Sequence, residues 1–462
     1  MKLPKILYTI SKALKDNGAK AIVVGGSVRD YFLSLECKDY DVEVYGLNSL
    51  EELEEILLEF GKVNLVGKSF GILKFSYQNQ EYDFSFPRIE RKISVGHKGF
   101  DVEIDGSLEY KEASIRRDFT INAIGYDIEA YKFLDPYGGL DDIKSKILRH
   151  INSKTFVEDP LRVYRAMQFS ARFEYKLAQQ TFKLCKEMVK KRMLDELPKE
   201  RVYEEFKKLL LKSKKPSIGF ELMRELGILE RYFSELYAII DVPQSPKWHP
   251  EGDVWVHTMM SLDAMAKELS AKDIDSKQKL KYMFAILCHD LGKAKTTTIE
   301  EDGTIRSIGH EKAGVEPTKS FLQKLTNEQD LIESILPLVE HHLKPSQFFS
   351  AKSKASAIRR LATKVNIEEL VVVAKADFLG RTTKEALSGK YEAGEWLLKR
   401  AEELNVKNKP IKPLIQGRDL IALGLKPSPK FKEILNELYI MQLDGKFNTK
   451  DEAIEYIKAK YE

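Results

Sequence analysis

Asp39 and Asp41 stand two residues apart in the run KDYDVEVYG, nine residues after the segment GGSVRD (25–30). In a strand, residues i and i+2 share a face about 6.5–7 Å apart, so both carboxylates can converge on a pair of divalent cations. Phosphoryl transfer with two metals needs such carboxylates, which hold ions roughly 3.5–4 Å apart to activate the attacking oxygen and steady the leaving group. Glu43 continues the same face as a spare candidate. Asp83, in the strand-like YDFSF, is either a third carboxylate or a plain solvent-facing aspartate. Gly25 and Gly26 sit where a strand turns into a helix, where glycine lets backbone N–H groups approach phosphate closely, and Arg29 adds a fixed charge beside them.

A second constellation follows in IRRDFTINAIGYD (115–127). Arg116 and Arg117 are of the type that clamps phosphates bidentately. Asp118 can cap a helix, and Asn122, four residues on, shares its helical face. In EDPLR (158–162), Asp159 and Arg162 are three apart and share a face as well, with Arg165 in an orienting position. An Asp–Arg pair offers acceptors beside donors. That order complements the pairing edges of cytosine and adenine, and it opposes acceptor to acceptor with guanine and uracil, which costs about 1–3 kcal/mol for an unpaired buried group. Asp-Pro is equally a common helix start, with Asp159 as its cap.

The third constellation is rich in histidine. Six of the eight histidines (His249, His257, His289, His310, His341 and His342) fall within one span of 94 residues. LCHDLGK (287–293) sets His289 and Asp290 after an apolar helical run, where burial without a partner is costly and a metal ion removes the cost. His257 upstream and Asp377 downstream complete a candidate ligand set. His310 and His341 are candidates for a second metal or for phosphate contact, and Lys293 for phosphate contact.

The elements that must position these groups change character along the chain. The first 150 residues alternate strand-like and helix-like segments, including KAIVVGG, DYDVEVYG, GILKFSY and EYDFSFP as strands and LNSLEELEEILLEFG as a helix capped by Asn48 or Ser49. RIERK (88–92) opens a polar stretch to about residue 113, either a mobile loop over the site or an ordinary surface loop. Strands vanish after about residue 155, and helical patterns run from PLRVYRAMQFSARF onward. KNKPIKP (407–413) looks like a linker before a small helical tail.

The 462 residues suit two to four domains. With 43% hydrophobic and 32% charged residues the chain is globular rather than disordered. No apolar run reaches the roughly 18 residues of a membrane helix, and the N-terminus lacks a signal-peptide pattern, so a cytoplasmic protein without a membrane partner is expected. Three isolated cysteines and no CxxC fit a reducing compartment. Net charge is +4, yet residues 183–215 alone carry twelve Lys/Arg against six Asp/Glu, a helical basic run suited to nucleic-acid phosphates.

In this order, GGSVRD…KDYD, RRDFTINAI, DPYGGLDDIKSKILR, EDPLRVYRAMQFSARF and ERVYEEF resemble the sequential motifs of class II tRNA nucleotidyltransferases, the CCA-adding enzymes, with a head of the polymerase β superfamily. PKWHPEGDVWVHT, CHDLGK, GHEKAG and ADFLGRT resemble the HD-domain metal phosphohydrolases, and the combination resembles the multifunctional bacterial branch that carries an HD domain. The resemblance implies an α+β fold: a mixed α/β head (1–150), an all-α neck for base selection and RNA binding (151–230), an HD body (231–405) and a helical tail (406–462). It implies that Asp39 and Asp41 are catalytic and bind Mg2+. Gly25, Gly26 and Arg29 would hold the triphosphate, with Arg117, Asp118, Asn122 and Arg165 in the nucleotide site. Asp159 and Arg162 would be the amino-acid template. In the HD body it implies a divalent metal (Ni2+, Mn2+ or Mg2+) on His257, His289, Asp290 and Asp377.

The expected activity is template-free addition of CCA to the tRNA 3′ end from CTP and ATP. The HD domain is expected to act as 2′,3′-cyclic phosphodiesterase, 2′-nucleotidase and phosphatase, in a monomer or homodimer. The alternatives are a CC-adding, A-adding or poly(A) enzyme of the same class, or an HD phosphohydrolase whose head only binds RNA.

Overall fold

The β-branched run Lys20–Val24 forms the first strand, β1, and both of its faces are covered. Ala21 and Val23 join a core with Leu7, Ile10 and Leu14 of the helix Lys5–Asp16, while Ile22 and Val24 pack with Tyr45, Tyr110 and Ala113. Each such fully buried aliphatic side chain stabilises the fold by about 1.5–3 kcal/mol. The computed structural model describes residues 1–37, 39–64, 71–92 and 100–461.

The strands that follow it are β2 (Tyr40–Tyr45), β3 (Lys62–Asn64), β4 (Ile72–Tyr77), β5 (Gln80–Ser85), β6 (Arg88–Lys92), β7 (Phe100–Ile104), β8 (Gly125–Asp127) and β9 (Lys132–Leu134), with two-residue strands such as Ile147–Leu148 beyond them. Six of these and β1 form one mixed sheet in the order β3-β4-β5-β2-β1-β8-β9. β2 is antiparallel to β1 and parallel to β5, in a register that sets Asp41 beside Asp83. Val42 and Val44 point into the core, so Asp41 and Glu43 share the opposite face. Ser49 caps the helix Leu50–Leu58 by accepting from the Glu52 N–H at 3.2 Å.

β6 and β7 pair as a separate antiparallel ribbon, and Tyr110–Ser114 is helical. The stretch read as a loop is therefore built on a hairpin, and its residues 93–99 lie outside the described ones. Beyond residue 155 the regular elements among the described residues are helices, apart from the two-residue strands Lys176–Leu177, Thr298–Ile299 and Ile305–Arg306.

The chain divides into two compact units, Met1–Arg231 and Tyr232–Glu462. In the first, the helices Leu161–Phe173, Gln179–Lys190, Lys199–Lys212 and Ser217–Glu225 follow the sheet. In the second, helices Val254–Ser270, Ser276–Cys288, Gln329–His341 and Ile367–Leu379 pack together around a core, and residues 414–457 form a small cluster of their own around Leu420 and Phe447. Among the described residues, no helix is long and apolar enough to cross a membrane.

Candidate active sites

In the first unit, Gly25 ends β1 in the left-handed region, with φ 74°. A side chain there would be strained, and its Cβ would stand 3.4 Å from Asp41 Oδ2 and from Arg117 Nη1. The turn thus brings backbone against the carboxylate of β2. A cavity of about 460 Å3 opens at this point. It is lined by Gly25, Gly26, Arg29, Asp41, Arg117, Asp118, Asn122, Asp159, Arg162 and Arg165, ten of the eleven residues to which the family resemblance gives a role in the head.

Asp39 is the exception. β2 begins only at Tyr40, so Asp39 precedes the strand; it is exposed and does not line the cavity. Asp83 faces the same side as Asp41 by register and pairs with Lys74 at 3.4 Å. Among the described residues of the head, no three carboxylates come within 4.8 Å of one another. Burial and the nearby carboxylates of Asp83 and Asp39 raise the Asp41 pKa despite the opposing Arg117. Relieving that repulsion is what a divalent cation does, so the donor set fits one.

Glu43 differs from a spare ligand. It is 2% exposed, and its carboxylate accepts from Arg117 Nη2 at 2.7 Å and from the Tyr45 hydroxyl at 2.8 Å, with Arg116 Nη2 at 3.5 Å. Burial opposes its ionisation, but the two arginines outweigh this and lower its pKa.

Polar side chains run from the glycine turn into the helix Leu161–Phe173. Arg29 donates to Asp30 at 2.6 and 2.8 Å and to Asn122 Oδ1 at 2.6 Å. Asn122 Nδ2 donates to Asp118 Oδ1 at 2.8 Å, and Asp118 Oδ2 accepts from Arg165 Nε at 2.6 Å. Arg29 and Arg165 also stack over Phe169. Asp118 is therefore a buried junction: its Oδ1 also accepts from the Phe119 N–H, and it does not cap the short 3-10 turn Thr120–Asn122. Arg165 and Asn122 outweigh burial and lower its pKa.

Asp159 and Arg162 share the cavity without bonding to each other through their side chains. Asp159 Oδ1 accepts from the Leu161 N–H at 3.2 Å, and Oδ2 from Arg201 Nη2 at 3.3 Å. Arg162 donates to the carbonyls of Thr155 and Arg116 at 2.7 and 2.6 Å. Two of five guanidinium N–H groups are spent, so donors remain for a base.

Residue spacing missed Gln168, Arg172, Arg201, Lys208 and Lys212 on the same walls. Arg201, Lys208 and Lys212 belong to the basic run 183–215, whose charge was visible but whose destination was not. With them the lining carries nine Lys/Arg against three Asp, a field suited to a triphosphate.

In the second unit, Asp253 caps the helix that carries His257, its Oδ1 accepting from the Val256 N–H at 2.8 Å. The helix Ser276–Cys288 ends directly before His289 and Asp290. Gly292 follows; a Cβ there would stand 2.0 Å from the His310 carbonyl, so only glycine lets the His310 segment approach Asp290.

Besides the partly buried group His249, Glu251 and His257, two groups of ligand atoms result, each within 4.8 Å: His257, His289 and Asp377, and Asp290, His310 and His342. All six residues are buried. His257 Nε2 lies 3.0 Å from Asp377 Oδ1 and 3.4 Å from His289 Nε2. Asp290 joins the groups, with Oδ2 3.2 Å from His289 Nε2 and Oδ1 3.3 Å from His310 Nε2.

The opposite ring nitrogens fix the tautomers. The Nδ1 atoms of His289, His310 and His342 each lie 2.7 Å from a backbone carbonyl, of Ile286, Ser307 and Val339, and His257 Nδ1 lies 2.8 Å from Glu251. A carbonyl only accepts, so each Nδ1 donates, and the neutral ring turns an Nε2 lone pair toward the cluster. The Asp290 oxygens and the Nε2 atoms of His310 and His342 are buried without a hydrogen bond of good geometry. Such an arrangement suits divalent cations, with the carbonyls and Glu251 as the outer supports that orient metal-binding imidazoles.

Burial disfavours ionised Asp377 and Asp290, but Arg381 and His257 for the first, and His289 and Lys293 for the second, hold both well below the usual carboxylate range. Burial, then His289 and His310, push His342 down to about 3. His257, His289, Asp290 and Asp377 are thus brought together as expected, and His310 joins them. His341 does not. It belongs to neither group, and its neighbour His342 takes that place, because one residue at a helix end turns the side chain by about 100°. Lys293 is on the cavity wall, 2.7 Å from Asp290.

Residues 21–149 match the family model of the poly(A) polymerase head domain, 174–239 that of a probable RNA and SrmB-binding site of polymerase A, and 256–381 that of the HD domain. The multifunctional CCA protein of Mannheimia succiniciproducens is 37% identical over 78% of this chain and 84% of its own length. That of Neisseria meningitidis (serogroup A) is 35% identical over 79% and 83%. Solved structures of a CCA-adding enzyme with CTP and with ATP align over all of this chain and 96% and 97% of theirs, with TM-scores of 0.63 and 0.65 at 21% identity. The Thermotoga maritima CCA-adding enzyme complexed with tRNA aligns over all of this chain and 97% of its own at a TM-score of 0.60 and 21% identity. The chain belongs to the class II CCA-adding enzymes, in the branch whose head is joined to an HD domain.

Proposed function

We propose that this enzyme adds CMP, CMP and AMP to the tRNA 3′ end from CTP and ATP without a nucleic-acid template. The observation that carries this is the single basic cavity that gathers Asp41, the glycine turn and the Asp159/Arg162 pair. Relatives at 35–37% identity named multifunctional CCA proteins support it, as do the CTP, ATP and tRNA complexes of enzymes with this fold. Asp41, with Asp39 and Asp83 beside it, would hold Mg2+, which supplies Lewis-acid activation of the tRNA 3′-hydroxyl and charge neutralisation at the leaving pyrophosphate. Arg29, Arg117 and the backbone N–H groups after Gly25 bind the triphosphate. Arg162 presents donors and Asp159 acceptors to the base, while Asn122, Asp118 and Arg165 keep that wall rigid. Head (1–150), neck (151–230), HD body (231–405) and tail (406–462) divide these tasks, in a cytoplasmic monomer or homodimer.

The test is incubation of the purified protein with tRNA lacking CCA, with CTP, ATP or both. A three-nucleotide product with both and a two-nucleotide product with CTP alone are expected. A product stopping at CC with both nucleotides, a single A, or a long A tail would assign one of the narrower activities instead.

The HD cavity supports a second reaction, hydrolysis of phosphoesters, including 2′,3′-cyclic phosphates and 2′-phosphates. His257, His289, Asp290 and Asp377 would hold the metal (Ni2+, Mn2+ or Mg2+), which lowers the pKa of an attacking water. Lys293 and Arg381 stand on the wall as phosphate-binding cations. Chelation should abolish hydrolysis, and adding back one of these ions should restore it.

A further inference from the structure

The HD cavity is smaller than the ligands its family of reactions would bring to it. At about 230 Å3 it falls below the roughly 300–1,000 Å3 of sites that enclose a whole small molecule. Its metal-binding end takes the reacting phosphoester, and the rest of a ligand must rest on the rim.

The rim carries Trp248, an unusual residue for that place. The residue is 56% exposed although it lines the same cavity as Asp290, His310 and His342. The turn that presents it is fixed, because the N–H groups of Trp248 and His249 both donate to the Ser245 carbonyl, at 3.0 and 2.9 Å. His249 in turn lies 2.9 Å from Glu251, the outer support of His257. The turn that carries the indole is thereby tied in sequence and by hydrogen bonds to the metal-binding end. Lys247 Nζ stands over one face of the ring, 4.9 Å from its centroid, so a base stacks on the opposite face. Leaving so large an aromatic surface in water gains nothing for folding, whereas nucleobases stack on such a ring whatever their sequence.

We propose that Trp248 is a base-stacking residue of the HD site, which makes nucleoside phosphoesters, rather than phosphoesters in general, its preferred ligands. This rests on the reading of the cavity as a hydrolytic site. Trp248 positions the ligand and takes no part in bond cleavage.

The experiment compares the nickel-loaded wild type, Trp248→Ala and Trp248→Phe on two secondary phosphomonoesters, adenosine 2′-phosphate and glycerol 2-phosphate. Only the first has a base. The ratio of kcat/KM for the first over the second should fall about 10- to 100-fold in Trp248→Ala, through KM, and recover in Trp248→Phe. An unchanged ratio overturns the proposal, whether both activities fall together or neither does. If the wild type cleaves neither compound, the hydrolytic reading fails by itself, and binding then decides on stacking. Adenosine 2′-phosphate should quench tryptophan emission of the wild type and not of Trp248→Phe, which keeps Trp255 and Trp396. Equal quenching of the two proteins overturns the proposal.

Discussion

Glu43 holds Arg117 from 74 residues away in sequence, its carboxylate accepting from the guanidinium at 2.7 Å on the face of the sheet that carries Asp41. Breaking a buried pair by removing one partner costs about 3–5 kcal/mol, because the other charge is left uncompensated. Glu43→Gln should therefore lower stability by roughly that amount and free Arg117 to swing away from the glycine turn. Denaturant unfolding and the KM for CTP measure both effects. The pH dependence has a definite sign. Glu43 has a lowered pKa in the folded state, so its contribution is present above the ordinary carboxylate value and is lost as pH falls through the folded one. The stability gap between wild type and Glu43→Gln should thus be full at neutral pH and narrow in acid.

The carboxylates of the head should separate into two ranks. Both Asp41 and Asp39 are exposed, but Asp41 lines the cavity beside Gly25, whereas Asp39 stands before the strand and does not. Asp41→Ala should reduce nucleotide addition by about 1,000-fold or more, the scale of losing a main electrostatic contributor to the transition state. Asp83→Asn should cost less and raise the magnesium concentration needed for half-maximal rate, since Asp83 acts beside Asp41 rather than at the turn. Single-turnover addition of CMP across a magnesium titration checks both.

Much of the head was legible because its signals are local. The glycine pair at a strand end translates directly into geometry, and Asn122 does donate to Asp118, though across a 3-10 turn rather than along one helical face. What escaped is what only the fold brings together. Arg201 lies 42 residues from Asp159, and its charge was indistinguishable from the solvated face of the basic run. Glu43 looked like another metal ligand because alternation gives the face of a residue, not its partner. Asp39 was placed in the strand that in fact starts one residue later. In the HD unit, order along the chain found buried residues that the fold does bring together, but the choice between His341 and His342 depends on where a helix ends.

Arg201 should orient Asp159. The Asp159 oxygens accept from the Leu161 N–H and from Arg201, so Arg201→Ala leaves one oxygen free to turn from the base. Selection of C and A over U and G should weaken by about tenfold, equivalent to roughly 1.4 kcal/mol. Arg201→Lys keeps the charge without the planar fork and should fall between the two. Addition kinetics with CTP and UTP in competition report the ratio. A drop in rate with the ratio unchanged would mean that Arg201 serves only the stability of the helix.

His341 and His342 are adjacent but should behave oppositely. His342 Nδ1 donates to the Val339 carbonyl and its Nε2 faces Asp290 at 3.8 Å, whereas His341 belongs to neither ligand group. His342→Ala should lower metal affinity by at least about 10-fold, since even outer supports of a metal site cost that much. Hydrolysis should fall with it, while nucleotide addition in the head continues. His341→Ala should keep both the metal content and the hydrolysis of the wild type. Metal analysis after dialysis against a weak chelator, together with turnover of a 2′,3′-cyclic nucleotide, separates the two variants. Loss of metal in His341→Ala with retention in His342→Ala would exchange the roles of the two histidines and overturn this assignment.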